Sequence, residues 1–174
     1  MPFDLLADQL FDRFEMAAIA FGDDGEGGAG TASDAVPAKN LTWDAGTKVL
    51  LVGGGTSHDF TKFFNLADTA TLKAAGCSVN YTEDAAVTAR ELPKVDVVIL
   101  SVNKAGWDTP DVRQALFDFA NAGKGIVLLH AGVWLNYPKW PEYNAQIVGG
   151  ASRGHDRLGE FEVKVLNSAH PITK

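Results

Sequence analysis

Residues 48–60 read KVLLVGGGTSHDF. A short unbroken apolar run that ends in glycines is how a strand buried on both faces of a parallel sheet reads. The chain continues in the same idiom. Phe60, Phe63, Phe64, Leu66, Ala67, Ala70 and Leu72 form an apolar helical face over residues 60–75, with Gly76 as its cap. A second strand is expected at Cys77–Tyr81, a short helix or turn over 84–92, and a third strand at Val95–Val102. Pro110 opens a helix to about Ala122, in the first turn where its missing N–H costs little, and Gly123 and Gly125 close it. Ile126–His130 is a fourth strand, residues 131–158 are irregular and aromatic, and Glu160–Leu166 (EFEVKVL) alternates as an edge strand would. Strands alternating with helices over short connections predict an α/β domain with a mostly parallel sheet and helices on both faces.

Toward the N-terminus the pattern changes. Phe3, Leu6, Leu10, Phe14 and Ala17 fall at steps of three and four within residues 3–21, opposite Asp4, Asp8, Asp12 and Glu15, which predicts an acidic amphipathic helix. Residues 22–38 (GDDGEGGAGTASDAVPA) read as a flexible linker. The formal net charge of −7 belongs to this part: residues 1–46 carry nine acids and two bases, and the remainder is balanced. Domain boundaries of 1–46 and 47–174 follow. Neither part has the clustered Lys and Arg that nucleic acid requires. An acidic helix does not suit an anionic membrane, and no run approaches the roughly 20 apolar residues of a membrane span. Cys77 is the single cysteine, so no intrachain disulfide can form, and the first residues carry acids where a secretory leader needs bases. A cytoplasmic protein is the expectation.

In open parallel sheets ligands bind beyond the carboxyl ends of the strands. The first strand runs into Gly53, Gly54, Gly55, Thr56, Ser57, His58 and Asp59. This is neither a P-loop nor a dinucleotide fingerprint. It can be a plain turn with Asp59 capping the next helix, or a ligand loop in which Gly54 and Gly55 allow close approach and His58 and Asp59 face a site. His130 ends the fourth apolar strand and is either a hydrogen-bonded core histidine or a site residue acting as acid, base or ligand. His155 lies in the long loop with Arg153, Asp156 and Arg157, and His170-Pro171 reads as a turn. His58, His130 and His155 together could supply neutral imidazoles to a divalent metal such as zinc, although no HExxH pair is present. Trp134, Tyr137, Trp140 and Tyr143 on the same loop either stack on a sugar-like ligand or pack the loop onto the domain.

With these residues quoted, the sequence resembles the ThuA-like (trehalose utilisation) domain family. The resemblance is carried by KVLLVGGGTSHDF, YTED (81–84), VDVVIL, GKGIVLLHAG, WPEYNAQIVGG followed by His155, and the terminal HPIT, and it covers about residues 47–174. It implies a flavodoxin-like three-layer sandwich related to the class I glutamine amidotransferases. Their nucleophilic Cys has no counterpart here, since His130-Ala131 occupies that region, so glutaminase chemistry is not expected. It implies a role in sugar or disaccharide utilisation around keto-sugar ligands. His58, His130 and His155 are carried over as site residues, with Gly54, Gly55, Asp59, Trp134, Trp140 and Tyr143 as substrate contacts. The family pattern runs on past HPIT, so a C-terminally shortened domain is expected. Self-association, a non-catalytic sugar-binding module, and a scaffold working through the acidic helix are the other readings.

Overall fold

The computed structural model describes residues 40–56, 58–133, 139–150, 154, 156–157, 159–170 and 173. The expected acidic helix (3–21) and linker (22–38) lie outside the described residues. Strands β1 (Lys48–Gly54), β2 (Ser78–Thr82), β3 (Val97–Val102) and β4 (Gly125–Leu128) form one sheet in the order β2-β1-β3-β4. Every pairing is parallel. The order is that of the first four strands of a flavodoxin-like sheet. Val49, Leu50, Leu51 and Val52 are each fully buried, as a strand paired on both sides and covered on both faces must be.

The period of two divides the strand residues between two cores. Leu50, Val52, Val98, Leu100 and Val102 pack with Val112, Leu116 and Phe119 of helix α3 (Pro110–Asn121) and with Trp107, Trp140 and Tyr143. Helix α2 (Ala85–Glu91) packs against α3 on this side, with Ala85 and Ala89 against the same cluster. Val49, Leu51, Val97 and Ile99 alternate with these and are equally buried, and helix α1 (Thr69–Ala74) packs against β2 with Leu72 inward. Helix ends follow local rules. Asp84 caps α2 through its carboxylate, which accepts from Val87 N–H at 2.8 Å, and Thr109 caps α3 by accepting from Val112 N–H at 3.3 Å. Gly76 closes α1 at φ +86°, with Cys77 N–H donating to Leu72 C=O.

Two expectations are corrected. The helix before α1 winds wider than an α-helix over Thr61–Asp68, with Thr69 N–H donating to the Phe64 carbonyl five residues back. The wider turn changes which side chains face the sheet: Phe60 is buried, whereas Phe63 and Leu66 are exposed. The strand expected at Glu160–Leu166 is not formed. Residues 160–165 have no regular secondary structure and no ladder partner among the described residues, and Phe161 and Leu166 are 85% and 87% exposed. Alternation prepares a segment for a half-buried sheet position, but only a neighbour's backbone groups make it a strand. The compact unit runs from Lys39 to Gly159, and residues from Glu160 on lie outside it.

A buried carboxylate ties the entry segment to the fold. Glu91 is fully buried and accepts from Trp43 Nε1 at 3.2 Å, Arg90 Nε at 2.9 Å and Lys94 Nζ at 3.0 Å. Burial alone would raise its pKa, but the hydrogen bonds from Arg90, Lys94 and Trp43 outweigh it and hold the carboxyl below its ordinary value. The stabilisation is therefore present above the ordinary glutamate pKa and is lost as pH falls through the depressed one. Replacing Glu91 by Ala is expected to cost about 3 kcal/mol by removing one partner of a buried ionic network. Urea unfolding at neutral pH checks this, and a loss within 0.5 kcal/mol of zero, the usual range for a neutral surface change, would contradict it.

Candidate functional site

The connections from β1 to β2 and from β1's other neighbour β3 to β4 lead away in opposite directions along the sheet, so the carboxyl ends of β1 and β3 are the switch point at which open parallel sheets bind ligands. The glycine turn after β1 borders it. Gly54 and Gly55 have φ of +120° and +145°, a conformation that favours glycine. A side chain at Gly55 would collide with Asn103 Oδ1, so the turn lies directly against the end of β3, and Asn103 N–H donates to Gly54 C=O at 3.0 Å. Asp59 is exposed and its Oδ1 accepts from Lys62 N–H at 2.8 Å, which starts the following helix.

His58 is half-buried and meets His130, with ring centroids 4.9 Å apart and planes inclined at 68°. The Phe60 ring also packs against His58, with centroids 5.7 Å apart and planes inclined at 68°. His130 is not buried in a strand. The strand ends at Leu128, and His130 is the exposed first residue of a 3₁₀ turn (His130–Gly132) whose Ala131 and Gly132 are buried. Sheet order thus brings together two histidines from loops that are remote in sequence. His155 and Trp134 lie outside the described residues. Among the described residues no three His, Cys, Asp or Glu side chains converge as a metal site, so the expected three-histidine ligand set is represented by the His58–His130 pair alone. His170 sits in a separate exposed turn.

Trp140 and Tyr143 are buried rather than open to a ligand. Trp140 packs edge-on to Phe117 at 5.8 Å and beside Tyr143 at 4.9 Å, with the Arg113 guanidinium 5.1 Å over its ring. Tyr143 OH donates to Gly132 C=O at 2.7 Å. These rings therefore pin the loop and fix the turn that carries His130. Cys77, just before β2, is half-buried, and burial pushes its thiol pKa up, away from nucleophilic reactivity.

Three further polar residues stand at strand ends and were not singled out from the sequence: Glu83 after β2, and Asn103 and Lys104 after β3. Their signal was positional. The rule that points to His58 and His130 applies equally to YTED after β2 and to the Asn-Lys pair after β3. Tyr81 OH donates to Glu83 Oε1 at 2.6 Å.

Desolvation by burial, and then the proximity of His130, lower the His58 pKa from 6.5. His58 is consequently neutral at neutral pH, able to accept a proton or offer a lone pair. Because the unfolded chain takes up this proton more readily, stability is full above pH 6.5 and declines as pH falls from there toward the lowered pKa. Replacing His58 by Gln should flatten that slope of stability against pH, measured as thermal midpoints across the acid side of 6.5.

No curated protein and no solved structure matches the chain. The family described as ThuA, trehalose utilisation, matches residues 48–174, which takes in all four strands and the His58–His130 pair. The chain therefore belongs to the ThuA trehalose utilisation family.

Proposed function

We propose that this domain binds a disaccharide or keto-sugar at the carboxyl ends of its strands and carries out acid–base chemistry on it through His58 and His130. The observation that carries the reading is the 4.9 Å approach of these two imidazoles at the mouth of the sheet, one half-buried and the other exposed. Family membership supports sugar utilisation as the setting. The neutral His58 takes a proton from a sugar hydroxyl or an acidic carbon position, and the exposed His130 exchanges protons with ligand or solvent. The pair suits this division, since a charge on one imidazole disfavours a charge on the other. A divalent metal held by His58 and His130 would need further ligands, with His155 the expected one.

The test is a screen of the purified chain against trehalose, other disaccharides and a keto-disaccharide, following binding by calorimetry and turnover by sugar analysis, with elemental analysis for bound metal. Turnover should fall by roughly 10²–10⁴-fold in His58→Ala and His130→Ala, the usual contribution of a positioned acid or base. Full turnover in the double variant would remove both residues from the chemistry. Binding without turnover on long incubation would identify a sugar-binding module instead.

A further inference from the structure

Glu83 follows β2 and is contacted by Tyr81 at its carboxylate and by Lys104 at its main-chain carbonyl. Its Oε1 accepts from Tyr81 OH at 2.6 Å. Tyr81 in turn lies flat against Gly53 of β1: a Cβ at Gly53 would stand 2.5 Å from the phenol oxygen and 2.8 Å from ring carbon Cε2, so only glycine leaves room for it. The other carboxylate oxygen, Oε2, lies over Gly54, 3.4 Å from where a Cβ would be, and Cδ of Lys104 is 3.4 Å from the same point. Lys104 Nζ reaches the Glu83 main-chain carbonyl at 3.5 Å, and its ammonium forms no ion pair with the Glu83 carboxylate among the described residues. Burial, the hydrogen bond to Glu83 and the charge of Glu83 all raise the Tyr81 pKa, so the phenol stays a donor and Glu83 stays its acceptor.

An acceptor held by Tyr81 and an exposed donor thus flank Gly54, at the carboxyl end of the sheet and one strand away from the loop that carries His58. A carboxylate oxygen only accepts hydrogen bonds and an ammonium only donates them. Two neighbouring hydroxyls satisfy both, one donating to Oε2 and the other accepting from Nζ. We infer that Glu83 and Lys104, over Gly54, form a subsite for a vicinal diol of the sugar ligand, with Tyr81 as the residue that positions Glu83. This rests on the sugar-binding reading above and names the ligand chemistry within it.

The experiment measures calorimetric affinity for trehalose, sucrose, maltose and glucose, each beside monodeoxy forms, in the wild-type chain, Glu83→Gln, Tyr81→Phe and Lys104→Met. Glu83→Gln keeps an acceptor for Tyr81 and so preserves the local packing, which the thermal midpoint checks. For the sugar that binds best, Glu83→Gln and Lys104→Met should each weaken affinity roughly tenfold or more, as loss of a hydrogen bond to a charged group does. For one monodeoxy form the Glu83→Gln penalty should vanish, because the missing hydroxyl is its partner, a coupling that a purely structural role would not produce. Tyr81→Phe should weaken binding less. Wild-type affinity retained in Glu83→Gln and Lys104→Met overturns the diol subsite and leaves the sugar-binding reading intact. A wild-type chain that binds none of these sugars overturns both.

Discussion

The two-sided pairing of β1 is the constraint from which the rest follows. Its backbone is bonded to β2 on one side and β3 on the other, both in parallel, and its four central residues are fully buried. Parallel neighbours cannot be joined by a tight turn, so each connection must be a crossover, and each crossover covers a face of the sheet. Once β1 is central, the chain turns one way to reach β2 and the other way to reach β3. The opening that this reversal leaves beyond the strand ends is where Gly53–Gly55, Glu83, Asn103 and His58 gather.

The polar groups near the core show how such a site is held still. A buried carboxylate is tolerated in Glu91 because three donors converge on it. Tyr143 uses its hydroxyl on Gly132 C=O and its ring on Trp140, and this contact positions the turn from which His130 emerges. Tyr81 does the same for Glu83, with Gly53 providing the space. In the two tyrosine cases a buried or half-buried ring supports a turn or a polar residue beyond a strand's carboxyl end, whereas Glu91 ties Trp43 to the end of α2. A rigid support of this kind would leave the groups proposed to bind and react in one geometry at little entropic cost when a ligand arrives.

Several expectations rested on signals that act over a few residues, and these match the structure closely. The apolar runs ending at glycine or polar residues locate all four strands within two residues of where they lie, and Gly76 closes α1 as its residue type requires. Other expectations depended on partners that the local pattern does not contain. The alternation of Glu160–Leu166 is a strand pattern, yet no ladder forms on it among the described residues, and its apolar side chains stand exposed. The aromatic residues of the long loop read equally well as ligand-stacking or packing groups. The structure resolves Trp140 and Tyr143 as packing because α3 and the 130–132 turn offer them surfaces that the sequence does not display.

By itself, then, the sequence determined the class of fold, the burial of an apolar β1 and the loops in which site residues had to be sought, because strand burial, helix capping and glycine turns are local properties of residue type. Only the tertiary structure decided that His58 meets His130, that Tyr81 locks Glu83 over the glycine turn, and that Trp140 faces the core. Those outcomes depend on strand order, which sets segments far apart in the chain side by side, and on steric fit between them, which no spacing within one segment encodes.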